Sequence, residues 1–217
     1  MNSKKTIFFA TFLGSLSCQV SHVYPRSFFG KITKPLRVVK RSIQGTKNAV
    51  LSHNFHKVDY DLYRSSQPSR KHLRKYHKRN NVKTVINLRG ENPSKIWWEE
   101  ERDEANRLGM TFVNIRTNSK QKFSRDNIKK LIGAYENGRK KGSVLVHCQA
   151  GSDRSGAAAG ILKFNTTRNK HQALKQLSLK YGHMRKRKPS MYDTVLSWID
   201  SMIGTNFNPE KALESYK

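Results

Sequence analysis

Val144-Leu145-Val146-His147-Cys148-Gln149-Ala150-Gly151-Ser152-Asp153-Arg154-Ser155-Gly156 decides the reading of this chain. It opens with a short apolar run rich in β-branched residues after Gly142, the pattern of a buried strand. It closes in Ser155-Gly156-Ala157-Ala158-Ala159-Gly160-Ile161-Leu162, a small-residue segment that reads as a closely packed helix. Between them lies a strand–loop–helix joint with a cysteine at its entrance and an arginine six positions later.

Each residue of the joint has a chemical use. A loop running into a helix N-terminus turns backbone N–H groups toward one point, which forms a cup for a phosphate dianion. Gln149, Ala150, Gly151, Ser152 and Asp153 supply that loop, and Gly151 permits a backbone shape closed to most residues. Arg154 adds a planar fork of donors for two phosphate oxygens. The same positive field favours Cys148 as a thiolate, the nucleophilic form for attack on phosphorus. Ser155 can donate a hydrogen bond to that sulfur and ease its departure. His147 orients the loop from the strand end. A lone cysteine at the end of a buried strand is ordinarily a small core residue; the whole pattern at one joint singles this one out.

His147-Cys148-x5-Arg154-Ser155 resembles the signature of cysteine-dependent protein tyrosine phosphatases in their compact dual-specificity form. Leu62-Tyr63-Arg64-Ser65-Ser66-Gln67-Pro68, Val82-Lys83-Thr84-Val85-Ile86-Asn87-Leu88-Arg89 and Leu177-Ser178-Leu179-Lys180-Tyr181-Gly182-His183 are similar to segments of a bacterial branch of that family. The likeness spans roughly residues 58 to 200. It implies a phosphocysteine intermediate on Cys148 and no cofactor. It also implies a general acid some way upstream, yet Arg116-Thr117-Asn118-Ser119-Lys120-Gln121-Lys122 holds no carboxylate. Asp126 is one substitute, although an acidic residue early in a helix also complements the helix dipole. Asp153 is the other, by its likeness to lipid phosphatases with an aspartate before the signature arginine; anchoring the loop is its competing role.

Strands alternating with helices give an α/β fold with a central, mostly parallel sheet flanked by helices. Its elements are an edge strand from Asp59 to Arg64, a basic helix from Arg70 to Arg79, and strands Thr84–Leu88 and Thr111–Ile115. Helices are expected over Trp97–Leu108, from Arg125 to about Arg139 after a Ser124 cap, around His171–Tyr181 and over Ser190–Met202. Trp97 and Trp98 read as packing residues. The loop then sits at the carboxyl end of a central strand, where such sheets place ligands.

Forty-three Lys and Arg face 15 Asp and Glu in 217 residues, a formal charge of +28. That excess favours polyanionic partners: a phosphorylated protein, a phosphoinositide or an anionic membrane surface. Lys120, Lys122, the basic helix and Arg185-Lys186-Arg187-Lys188 suit a substrate with several phosphates. Nucleic acid is disfavoured because no DNA- or RNA-binding motif is present. The eight histidines are scattered without the spacing of a metal site.

Residues 1–17 place Lys4 and Lys5 before an apolar run from Thr6 to Leu16, the layout of a secretory signal peptide. The expected destination is secreted or periplasmic; lipidation at Cys18 or an uncleaved membrane anchor are the alternatives. Residues 18–56 read as a basic extension, 57–204 as the phosphatase domain and 205–217 as a C-terminal tail. If Cys18 is removed or lipidated, Cys148 has no disulfide partner. Three functions stand: a protein phosphatase, a phosphoinositide or inositol phosphate phosphatase, and a module that binds a phospho-ligand without turnover.

Overall fold

The structure is a computed structural model in which residues 53–216 are described. The expected signal peptide, and the extension as far as residue 52, lie outside the described residues. The elements run β1 (His56–Lys57), β2 (Leu62–Ser65), α1 (Arg70–Asn80), β3 (Val82–Asn87), α2 (Ile96–Arg107), β4 (Thr111–Asn114) and α3 (Arg125–Arg139). They continue through β5 (Ser143–His147), α4 (Arg154–Thr167), α5 (Lys170–Lys175), a single 3₁₀ turn (Leu179–Tyr181), α6 (Pro189–Gly204) and α7 (Pro209–Ser215). Among the described residues no helix is long and apolar enough to cross a membrane.

One five-stranded sheet has the order β1-β2-β5-β3-β4, and only β1 pairs antiparallel. This is the expected α/β fold with a mostly parallel sheet. Successive side chains of a strand point to opposite faces, and the two cores follow that alternation. Leu62, Ile86, Val144 and Val146 join one core with α3, α4 and α6. Tyr63, Val85 and Leu145 join the other with Leu73 and Tyr76 of α1 and Ala105 of α2. With both faces covered, Val144, Leu145 and Val146 are fully buried, which explains why the signature strand reads as a continuous apolar run.

The register aligns Ser65, His147, Asn87 and Asn114 in one row across the sheet. All four strands run in the same direction, so the loops leaving these residues gather at one edge. Ser124 caps α3 by accepting from Asn127 N, as its sequence position predicts.

Four expectations are corrected. The strand near Asp59–Arg64 is Leu62–Ser65 and lies inside β1 rather than at the edge, because Asp59–Asp61 turn outward with Tyr60 87% exposed. The helix expected around His171–Tyr181 stops at Lys175 and resumes as the 3₁₀ turn. The Gln176 carbonyl accepts from Arg64 Nη1 at 2.5 Å, which takes it out of a helical ladder. Of the expected tail 205–217, the described part, as far as residue 216, packs on the domain. Asn208 caps α7, and Ala212 and Tyr216 are buried against the main core. The domain also starts before Lys57, since Asn54 is fully buried and Phe55 stacks on Tyr63 and Tyr76.

Candidate active site

Cys148 leaves β5 into a loop whose carbonyls are all claimed from outside. Gln149 O accepts from the backbone N–H of Gln67 at 3.1 Å, and Ala150 O accepts from Asn54 Nδ2 at 3.1 Å. Gly151 O and Ser152 O both accept from Arg64 Nη2, at 2.8 and 3.0 Å. No peptide among the described residues is cis. In a planar trans peptide the N–H points opposite to the carbonyl. The N–H groups of Ala150, Gly151, Ser152 and Asp153 therefore each point away from the donor that holds the preceding carbonyl, and the loop from Cys148 to Arg154 is the candidate cup. Gly151 has φ +73°, and a Cβ there would stand 2.6 Å from Ser66 N.

Arg64 is the main anchor. It is fully buried, lies 4.2 Å from the centroid of the Tyr181 ring and also donates to Gln176 O. Burial pulls its guanidinium down to about 10 from the ordinary arginine value. Asn54 ties the loop to the 3₁₀ turn by donating to Tyr181 O as well, at 3.0 Å. His56 Nε2 is 3.0 Å from Asn54 Oδ1, which sets the amide in that orientation.

Inside the cup Cys148 Sγ lies 3.1 Å from Ser155 Oγ, and both residues are buried. Arg154 opens α4 and donates from Nη1 to Leu88 O and Thr117 O, each at 3.2 Å. Those two bonds fix its fork between the loops after β3 and β4. His147 points the other way: its Nε2 is 2.6 Å from Glu101 Oε1, with both side chains fully enclosed. The structure thus brings Cys148 and Ser155 into contact and sets Arg154 next to Ser155 at the start of α4.

The two acid candidates part company. Asp153 caps no backbone N–H; its carboxylate pairs with His183 Nδ1 at 2.7 Å and keeps 23% of its side chain exposed at the rim. Asp126 is exposed on the first turn of α3 and lines a hollow with Arg125, Lys129 and residues of α7. It does not line the hollow beside the cup, which has a volume of about 480 Å³ and is walled by Arg116, Asn118, Gln121, Lys122, Asn127 and Arg154 among others. That wall holds three cations and no carboxylate. An apolar hollow between β4 and α3, lined by Val113, Ile115 and Ala134, shares no residue with it.

The site also uses residues to which the sequence reading gave no role. Arg89 lies 3.4 Å over the Trp97 ring and donates to Gln67 Oε1. Burial, with Arg154 nearby, holds its guanidinium below the usual arginine range. Trp98 is a packing residue, as expected, whereas Trp97 is the platform for Arg89. Arg64, Gln67, Arg89 and His183 stand within the three flanking segments, so a signal was present without a contact to give it meaning. Glu101 and Asn54 had none.

Solved structures of known proteins share this fold. The chain shares its fold with Pseudomonas aeruginosa TpbA at 19% identity and TM-score 0.59, covering 72% of this chain and 92% of that one. A PTPMT1 structure gives 16% identity and TM-score 0.57 over 70% of this chain and 98% of that one. The core catalytic domain of the S. cerevisiae phosphatase SIW14 gives 17% and 0.55, over 72% and 94%. No curated protein sequence matches the chain. Residues 35–193 match the profile of the family described as DSP-PTPase phosphatase fused to NAD+ kinase, and the chain belongs to that family.

Proposed function

We propose that this domain hydrolyses phosphate monoesters through a phosphocysteine on Cys148. The observation that carries the reading is the ring of outward-anchored carbonyls around a buried Cys148–Ser155 pair. Four N–H groups and the Arg154 fork meet the three non-bridging oxygens of a phosphate and the charge that develops on them. Cys148 Sγ attacks phosphorus as the ester P–O bond breaks, and Asp153 gives its proton to the leaving oxygen. Water then attacks phosphorus and gives a proton back to the Asp153 carboxylate, the S–P bond breaks, and Ser155 donates to the departing thiolate. Asp153 is preferred to Asp126 because it stands at the rim of the cup.

The hollow beside the cup favours a leaving group that is itself anionic. Arg116 and Lys122 flank Arg154 there, with amides between them and no aromatic wall for a phenyl ring. A TpbA structure holds pTyr, a PTPMT1 structure holds PI(5)P, and SIW14 is described as a PP-IP phosphatase. Among these, the cationic wall suits a phosphoinositide or inositol phosphate better than phosphotyrosine.

The test is phosphate release by the wild type and by Cys148→Ser on an aryl phosphate, phosphopeptides and a phosphoinositide panel. Activity lost in the variant supports the mechanism, and the preferred panel selects the substrate. Tight binding of one ligand with no turnover would replace the enzyme with a phospho-ligand binding module.

A further inference from the structure

Glu101 is a buried carboxylate with no use in the mechanism above. It projects from α2 toward the sheet and is 1% exposed. A charge in such a place is strongly disfavoured unless it is paired and hydrogen-bonded. Three residues later, Glu104 meets that requirement with two arginines, Arg74 and Arg107. Glu101 has no bonded cation of that kind. Its Oε2 accepts from Gln67 Nε2 at 2.6 Å, and its Oε1 faces His147 Nε2 at 2.6 Å. That contact is off the ideal hydrogen-bond line, and neither atom has another partner, so each depends on the other.

The opposite ring nitrogen, His147 Nδ1, lies 3.4 Å from the carbonyl oxygen of Cys148. The ring thus bridges Glu101 and the peptide that carries the nucleophile. It extends the run of anchored carbonyls, residues 149 to 152, back to Cys148. Gln67 joins both ends, because its backbone holds Gln149 O while its side chain holds Glu101.

We propose that Glu101 is a positioning residue for the nucleophile: it fixes the His147 ring, and through that ring the direction in which Cys148 leaves the sheet. The inference rests on the phosphocysteine reading, and it assigns the carboxylate no contact with substrate.

The experiment compares the full chain with Glu101→Gln, His147→Gln and the double variant on an aryl phosphate. Alkylation of Cys148 by iodoacetamide at neutral pH is followed in parallel. A misaimed nucleophile lowers kcat by about 10- to 100-fold while KM barely moves, and alkylation slows with it. In the double variant the losses do not add, because both changes break one relay. Wild-type kcat in Glu101→Gln overturns the proposal, and so does a double variant whose losses multiply. If Glu101→Gln does not fold, Gln67→Leu, which leaves the pair in place but removes the donor to Oε2, is read the same way. Loss of all activity in Cys148→Ser with wild-type rates in Glu101→Gln leaves the phosphatase reading standing and removes only this inference.

Discussion

A Cβ built on Gly156 would stand 3.1 Å from Arg64 Nη2, so the first turn of α4 passes directly over the buried guanidinium. The same Cβ would meet Gln176 O at 2.9 Å. Loop, helix and the segment after α5 therefore close around one cation. Its bonds to Gly151 O and Ser152 O anchor the loop. Arg64→Met strands these carbonyls and is expected to destabilise the domain by roughly 2–4 kcal/mol. Activity on an aryl phosphate should fall by about 100-fold as the N–H groups lose their common direction. Arg64→Lys should not restore it, because an ammonium lacks the planar fork that reaches both sides. Denaturant unfolding and kcat/KM of the two variants check this; a fully active Arg64→Lys would contradict it.

Gly151 and Gly133 offer a matched pair. At Gly151 the backbone is left-handed and a side chain would meet Ser65 and Ser66 backbone within 2.6 to 2.8 Å. Gly151→Ala is expected to lose both stability and turnover, the conformation alone costing about 1–2 kcal/mol. Gly133, inside α3, has room for a methyl group, with nothing within 4 Å of an added Cβ and no unusual backbone. Gly133→Ala should raise stability by up to about 1 kcal/mol and leave turnover unchanged. Thermal unfolding of both variants, with phosphate release alongside, separates the two effects.

Asp153 and Asp126 differ in place, and alkyl phosphates expose the difference. An alkoxide leaves poorly without a proton, whereas an aryl oxide needs less help. Asp153→Asn is expected to lower kcat on an alkyl phosphate by about 10²–10⁴-fold, with a much smaller loss on an aryl phosphate. Asp126→Asn should match the wild type on both, since its side chain lines the hollow next to α7. Equal rates for Asp153→Asn and the wild type on the alkyl ester would remove Asp153 as the acid. His183 anchors that carboxylate at 2.7 Å, so His183→Phe should resemble Asp153→Asn in direction.

The residues proposed to hold the phosphate were legible because they are contiguous: one strand, one loop and one helix start spell them out. The sheet was legible for a related reason, since a strand covered on both faces must be apolar throughout, as Val144, Leu145 and Val146 are. What holds the cup was not legible. Asn54, Arg64 and Gln67 reach it from separate parts of the chain, with Gln176 holding Arg64, and a polar residue in a strand or turn carries no mark of its partner. The helix after α4 was misjudged for the same reason: the Arg64 guanidinium, more than a hundred positions earlier, takes the carbonyl that would have continued it. Glu101 falls within the helix expected over Trp97–Leu108, and only the fold shows that it faces inward.

His56 connects acidity to the cup. It lies between Asn54 and Tyr181, 4.9 Å from the ring centroid, and burial, with Arg64 and Lys180 nearby, lowers it from 6.5 to about 4. The unfolded chain therefore takes up a proton here at a higher pH than the folded chain does. Over that window the unfolded state binds more protons, so stability rises with pH. The contribution is complete above pH 6.5 and is lost as pH falls toward about 4. His56→Gln removes the titration while keeping a donor for Asn54 Oδ1, which in turn keeps Asn54 Nδ2 on Ala150 O. Thermal unfolding of the wild type should show a falling Tm across this window, and the variant a shallower fall. Parallel curves for the two proteins would place the acid sensitivity in other groups and leave His56 with an orienting role alone.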